Sequence, residues 1–312
     1  MNFKIVGIGE VLWDLLPSGS ELGGAPANFA CHAHALGASA SVVTRVGDDD
    51  FGRAVLRRFG EQGIAEGTVQ VDATAPTGTV TVTLSETGIP SYTIHENAAW
   101  DRLAVTPAAT RAVREADAVC FGSLAQRSAV SRASIQALVA DARAGALRVF
   151  DINLRQNYYS REILGQSLRL ANVLKLNDGE LPVLAALFGL SGPPRELMAR
   201  LADQFELQLV ALTRGPAGSL LFRAGQWSDC PSVPTRVVDT VGAGDAFTAA
   251  LVMGLLHQMG LGAINALADE VARYVCSRAG ATPRMPKKFF ERLAAHAGAP
   301  STAAQAAPRV GA

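Results

Sequence analysis

Short apolar runs alternate with amphipathic stretches along most of the chain, and that alternation predicts elements before any chemistry is considered. Runs rich in β-branched and apolar residues fall at 4–8, 41–46, 118–121, 148–151, 173–176, 207–212 and 219–222, the lengths of buried strands. Helical spacing of apolar positions occupies 26–36, 51–62, 131–144, 161–170, 179–188, 194–204, 242–257 and 261–278. Strand and helix in alternation predict a largely parallel sheet covered by helices on both faces. Ligands of such sheets gather beyond the carboxyl ends of the strands. Polar clusters stand at those ends, Asp151-Ile152-Asn153, Asn177-Asp178-Gly179-Glu180 and Thr213-Arg214-Gly215, so they are expected to share one crevice.

Two stretches, 10–22 and 69–92, break the alternation. They are rich in Thr, Val, Gly and Pro, and 79–85 with 91–94 alternates with period two around Glu86-Thr87-Gly88, the pattern of a hairpin. They are read as a small β-sheet lid over the crevice, built from about 10–25 and 69–97; an ordinary edge hairpin fits the same pattern. Residues 1–298 are expected to form one α/β domain, and 299–312, Ala-, Pro- and Gly-rich without periodicity, a disordered tail.

The segment Asp239-Thr240-Val241-Gly242-Ala243-Gly244-Asp245-Ala246-Phe247 carries the strongest chemical signal. Gly242 and Gly244 permit backbone angles and close approaches that let amides around Ala243 converge on an anion. Apolar residues from Phe247 onward recur at helical spacing, so the turn lies at a helix N-terminus, where unpaired amides favour phosphate. A carboxylate beside a bound phosphate repels it. Asp245 therefore makes sense as a base acting on a neutral hydroxyl that attacks the phosphorus, kept ionised by the helix amides; the bland alternative is a helix cap. A second cluster, Gly23-Gly24-Ala25-Pro26-Ala27-Asn28, pairs a flexible turn with a helix start. Asn28 and Asp14 have the hydrogen-bonding capacity that sugar hydroxyls need, although Asn28 could equally bond the backbone and Asp14 be a solvated turn residue.

Composition narrows the partners. The 312 residues are 49% hydrophobic with a formal net charge of +0 and only four lysines, at 4, 175, 287 and 288. Neither nucleic acid nor a membrane surface is an expected partner, and anion binding falls to arginine and backbone amides. The cysteines 31, 120, 230 and 276 lack metal or disulfide spacing and are expected to be reduced and buried. Cys31-His32-Ala33-His34 is read as a helix with solvent-facing histidines. The absence of a signal segment or transmembrane run predicts a cytoplasmic protein.

Together the two glycine motifs resemble those of the ribokinase or PfkB family of carbohydrate kinases, whose hallmarks are a Gly-Gly loop followed by Asn and a later Asp-Thr-x-Gly-Ala-Gly-Asp. The resemblance runs from about residue 2 to 281. It implies a ribokinase-like three-layer α/β/α sandwich with a β-sheet lid, and ATP-dependent phosphorylation of a sugar hydroxyl. By likeness Asp245 is the catalytic base and Gly242, Ala243 and Gly244 form the anion hole, while Asp14, Gly24 and Asn28 bind sugar. Asn177 and Glu180 match an Asn-x-x-Glu associated with Mg2+ through water, though Glu180 would also suit any first helical turn. Thr213, Gly215 and Gly218 resemble the nucleotide loop, and Gly244 would also face the nucleotide. Asp239 falls where many relatives hold K+, a position an ordinary turn residue also fits.

Within the family, Gly9-Glu10-Val11-Leu12-Trp13-Asp14, Ala99-Trp100-Asp101 and Asp151-Ile152-Asn153-Leu154-Arg155 look most like bacterial fructokinases. That likeness implies fructose as substrate, phosphorylated on its 6-hydroxyl, with Asn153 and Arg155 at the substrate. Arg155 could also serve in a surface ion pair. Other small sugars such as 2-keto-3-deoxygluconate remain alternatives, as does a non-catalytic sugar-binding regulator on the same fold. Lids of the family often pair edge to edge, which implies a homodimer.

Overall fold

In the computed structural model, which describes residues 2–17, 19–84 and 90–296, two sheets organise the chain. The strands are β1 (Lys4–Ile8), β2 (Leu12–Leu16), β3 (Gly19–Gly23), β4 (Ser39–Gly47), β5 (Val69–Asp72), β6 (Gly78–Leu84) and β7 (Pro90–Ile94). They continue with β8 (Ala118–Phe121), β9 (Leu147–Asp151), β10 (Val173–Asn177), β11 (Leu209–Thr213), β12 (Ser219–Arg223) and β13 (Gln226–Cys230). The large sheet has nine strands in the order β13-β12-β11-β10-β9-β8-β1-β4-β5. All its pairings are parallel except β11–β12 and β12–β13. The chain runs outward from β1 first to β4 and β5 and then to β8 and beyond, so its direction reverses at β1, the place where a crevice opens in doubly wound sheets.

Among the described residues ten α-helices cover this sheet. They are α1 (Ala25–Ala35), α2 (Asp50–Glu61), α3 (Pro107–Glu115), α4 (Ala129–Ala140), α5 (Arg161–Leu170), α6 (Glu180–Leu187), α7 (Pro194–Phe205), α8 (Ala243–Leu256), α9 (Leu261–Cys276) and α10 (Lys287–His296). The two-residue period of the strands sorts their side chains between two cores. Val6, Ile8, Val119, Phe121, Phe150, Leu174, Leu176 and Val210 pack with α3 to α7, whereas Ile5, Cys120, Val149, Val173, Leu209 and Ala211 pack with α1, α8, α9 and α10. Helix α8 is buried from Asp245 to Gly254, as expected of a helix apolar all round. Gly254 lets α9 approach it, since a Cβ there would lie 3.0 Å from Ile264.

The lid is a four-stranded sheet, β3-β2-β6-β7, with β2 and β6 parallel and both outer pairings antiparallel. Its inner residues Leu12, Val80, Val82 and Ile94 join the larger core, so apolar burial seats it over the crevice. The β6–β7 hairpin follows the predicted alternation, while its Glu86-Thr87-Gly88 turn and the tail beyond His296 lie outside the described residues.

Several expectations need correction. Residues 69–72 do not belong to the lid: β5 pairs in parallel with β4 at the edge of the large sheet. Helix α3 and strand β13 went unforeseen, although Thr106 accepting from the Ala109 amide and Pro107 at the first helical position form a recognisable start signal. His32 does not face solvent. It is 1% exposed and its Nε2 lies 3.0 Å from the Ala281 carbonyl; a carbonyl only accepts, so Nε2 carries the hydrogen. Burial lowers its pKa to about 4, which keeps the ring neutral. His34 is partly buried, against the Ala38 carbonyl at 2.9 Å. Of the four cysteines, which are all free, only Cys120 is fully buried.

Candidate active site

The carboxyl ends of β1, β9 and β10 and the amino ends of α1 and α8 meet at the crevice. Helix α1 lies tight on β1 because Gly7 has no side chain; a Cβ there would stand 2.2 Å from the Pro26 carbonyl. The Gly23-Gly24 turn is equally constrained. Gly24 has φ 113 and a Cβ on it would meet the Glu10 carbonyl at 2.5 Å, and one on Gly23 would meet Asp14 Oδ2 at 2.8 Å. The turn thus presses on Asp14 in the lid and delivers Asn28 in the first turns of α1. Asn28 Nδ2 donates to Asp245 Oδ2 at 2.9 Å in a buried hydrogen bond. The two sequence motifs, 217 residues apart, meet in this contact.

The turn before α8 has the conformation its glycines imply. Gly242 has φ 76, and a Cβ would collide with the Ala281 carbonyl 2.1 Å away, the same carbonyl that His32 holds. Among the described residues the amides of Gly242, Gly244 and Asp245 have no hydrogen-bond partner, whereas that of Ala243 is directed to the Thr240 carbonyl at 3.3 Å. Free amides at a helix start make a cradle able to receive an anion, to which Ala243 adds shape rather than a donor. Asp239 braces the approach: its Oδ1 accepts from the Val241 amide at 3.0 Å and its Oδ2 from the Gly280 amide at 3.1 Å. Both oxygens thus serve the turn.

Beneath the cradle lies a buried charge network that sequence reasoning missed. Strand parity puts Asp151 and Lys175 on the face of the sheet that meets α8. Lys175 Nζ is 3.1 Å from Asp151 Oδ1, and the two side chains are 4% and 5% exposed. Asp151 Oδ2 accepts from Thr248 Oγ1 at 2.7 Å. A Cβ on Gly244 would come within 3.0 Å of Lys175 Nζ, so a cation does sit under the glycine turn. Burial alone would lower the Lys175 pKa, but Asp151, Glu180 and Asp245 outweigh it and raise it. The lysine in VLKLN, between two leucines that face the opposite core, was the signal available in the sequence.

Asp245 is 9% exposed. Burial, then the Asp151 charge, raises its pKa to about 6, against the lowering effects of Asn28, Lys175 and Arg155. Desolvation, rather than the helix amides, dominates this value. The carboxylate remains mostly ionised at neutral pH but is far more basic than a solvated aspartate. Glu10 is a second unforeseen group. It is 3% exposed, its Oε2 is buried without a partner, and burial pushes it up to about 7 while the Arg155 charge lowers and the Asp245 charge raises it. Burial likewise raises Asp14, with Arg155 opposing. Arg155 itself is exposed, its Nη1 donating to the neighbouring Leu154 carbonyl at 3.1 Å, and its charge acts on Glu10, Asp14 and Asp245 alike.

The remaining candidates have defined local roles. Glu180 Oε1 accepts from the Leu154 amide at 2.9 Å and Oε2 from the Asn177 amide at 2.8 Å. Asn177 Oδ1 accepts from the amides of Gly179 and Glu180, both at 2.9 Å. Their oxygens are committed to shaping the start of α6, and among the described residues no group of three or more His, Cys, Asp or Glu could hold a metal. Asn153 adopts a left-handed φ of 42 and its carbonyl accepts from Ser123 Oγ at 3.2 Å. Thr213 closes β11, parallel to Asn177. Gly215 and Gly218 have φ 52 and 86, and a Cβ on Gly218 would strike the Cys230 carbonyl at 2.0 Å.

Comparisons with known proteins agree with this geometry. A family profile described as pfkB family carbohydrate kinase matches residues 19–288. The chain is 34% identical over 292 residues to a fructokinase from Klebsiella pneumoniae, covering 87% of this chain and 91% of that one. It is 32% identical over 274 residues to a fructokinase from Escherichia coli, covering 82% and 85%. The structure of an uncharacterized sugar kinase from Pyrococcus horikoshii in complex with ATP superposes with a TM-score of 0.78 at 28% identity, over 93% of this chain and 99% of that one. No helix among the described residues is long and apolar enough to cross a membrane.

Proposed function

Because this chain belongs to the pfkB family of carbohydrate kinases and is a sugar kinase, we propose that it transfers the γ-phosphoryl group of ATP to the primary 6-hydroxyl of fructose. The observation that carries this reading is the 2.9 Å bond from Asn28 to Asp245, which joins a sugar-binding loop to a basic carboxylate beside an amide cradle. In the proposed step the sugar oxygen attacks the γ-phosphorus, its proton passes to an Asp245 oxygen, and the bond to the β-phosphate oxygen breaks to release ADP. The amides of Gly242 and Gly244 and the guanidinium of Arg155 meet the charge that spreads over the transferred group, the main catalytic demand of phosphoryl transfer. Lys175 stands behind the cradle and holds Asp151 and Asp245 in place electrostatically. Asp14 and Asn28 orient the sugar.

Magnesium would come with the nucleotide as MgATP and would supply charge neutralisation at its phosphate oxygens. Glu180 and Asn177, with their oxygens bonded to amides, would reach it only through water. Thr213, Gly215 and Gly218 line the path of the nucleotide. Fructose is favoured over an acid sugar by the charges: the Arg155 charge is shared among Glu10, Asp14 and Asp245, and a substrate carboxylate would enter a site with an acidic excess. The edge strands β3 and β7 of the lid support a homodimer paired through them, which sedimentation would detect. The deciding experiment is a coupled ADP-release panel with fructose, ribose, 2-keto-3-deoxygluconate, aminoimidazole riboside and adenosine. Fructose should give the highest kcat/KM; a tenfold preference for another acceptor would reject it, and no release with any would favour a non-catalytic binder.

A further inference from the structure

The segment that carries Arg155 has its two ends held by different parts of the molecule. Asn153 and Gln156, on either side of Arg155, adopt left-handed φ of 42 and 49, a conformation non-glycine residues keep only when surroundings impose it. The near end is fixed to the sheet and α6, through Ser123 to the Asn153 carbonyl at 3.2 Å and the Leu154 amide to Glu180 at 2.9 Å. The far end is fixed to the lid. Gln156 Nε2 donates to the Tyr92 carbonyl at 2.9 Å, and Tyr158 Oη donates to Glu96 Oε1 at 3.1 Å.

Arg127 joins these contacts to the core. Its guanidinium lies 4.8 Å from the centre of the Tyr158 ring and 4.0 Å from that of Trp100. It donates to both oxygens of Asp101, at 2.9 and 2.8 Å, and to the His95 carbonyl at the end of β7, at 2.7 Å. The Arg127 side chain is only 6% exposed and that of Asp101 11%. A buried ion pair is a weak stabiliser compared with apolar residues of similar volume, so its geometry is the more telling property: one planar group holds the lid exit on its edge and the Arg155 segment on its face.

We infer that Arg127, Tyr158 and Gln156 are positioning residues, a clamp through which the seated lid holds Arg155 at the reacting phosphoryl group; this rests on the kinase reading above. A lid seated over sugar then also aligns the cation that phosphoryl transfer needs, and a misplaced lid leaves Arg155 misaligned. Closure and charge stabilisation are thereby linked.

The clamp is tested at its surface contacts, because an Arg127 variant can fail to fold. Tyr158→Phe keeps the ring and removes the bond to Glu96, and Gln156→Ala removes the bond to Tyr92. The pair should lower kcat about tenfold with the sugar KM within about twofold and Tm unchanged. In an Arg155→Ala background the same pair should cost less than about twofold, since contacts acting through one residue are not additive. An equal loss in both backgrounds, or a silent Arg155→Ala, overturns the clamp while leaving the kinase reading intact. A readout independent of turnover is amide hydrogen exchange. The pair, and separately Arg127→Lys, should speed exchange in 153–159 and 92–97 together; acceleration confined to one stretch, or to neither, overturns the clamp even in a protein without kinase activity.

Discussion

Removal of the Asn28 amide offers the sharpest test of the Asp245 assignment. Asn28 Nδ2 donates to Asp245 Oδ2 at 2.9 Å and lowers the pKa of a carboxylate that burial has raised to about 6. The folded-state pKa lies above the ordinary 3.8, so the base is present above about pH 6 and is lost as pH falls through that value. A hydrogen bond to a charged group contributes roughly 1.5 kcal/mol or more, and one pKa unit corresponds to about 1.4 kcal/mol. Asn28→Ala should therefore move the acid limb of kcat/KM upward by about one unit, to about 7. Relative to pH 8, the unmodified protein should retain about three quarters of its activity at pH 6.5 and the variant about a quarter. The assay is coupled ADP release with fructose and ATP across pH 5–9, where a loss of sugar affinity changes the height of the curve and not the position of its limb. A limb that stays in place in the variant, or an unmodified profile that is flat through pH 6, would refute the reasoning. Asp245→Asn supplies the control: turnover should fall by about 10²–10⁴ and lose its acid limb, and residual activity within a few-fold of the unmodified protein would remove Asp245 as base.

Three further outcomes follow from the same geometry. Asp14→Ala should raise the KM for sugar far more than that for ATP, and equal effects in initial-rate kinetics would take Asp14 out of the sugar pocket. Gly242→Ala must adopt a left-handed φ and push a methyl into the Ala281 carbonyl, so the midpoint of thermal unfolding should fall by an amount equivalent to about 2 kcal/mol or more, with loss of activity; a variant of normal stability and rate would mean that the turn is not held as described. Ionisation of Glu10 near pH 7 adds negative charge beside Asp245, so the KM for ATP should rise with pH across that value and Glu10→Gln should abolish the rise. An unchanged profile in that variant would show that Glu10 does not face the phosphates.

Local pattern carried much of this protein. Period-two runs and helical spacing located most strands and helices, because buried strands and helix faces must repeat with the geometry of the backbone. The motif Asp239 to Phe247 announced its turn, since a turn of this shape requires glycine where φ is positive and a neighbouring carbonyl is close. Periodicity could not say to which sheet a strand belongs. Val69 to Asp72 alternates as the lid strands do, and only its pairing with β4 assigns it to the large sheet.

What the chain alone determined, then, was most of the elements and the chemistry of single turns, both consequences of spacing over a few residues. Tertiary structure decided everything that depends on distance between remote segments. It buried His32 against Ala281 and brought Asn28 to Asp245. It placed Lys175 beneath Gly244 and hung the Arg155 segment from the lid. It also set the basicity of Asp245 and Glu10, because desolvation and the charges of groups remote in the chain are properties of the packed interior, which no local pattern encodes.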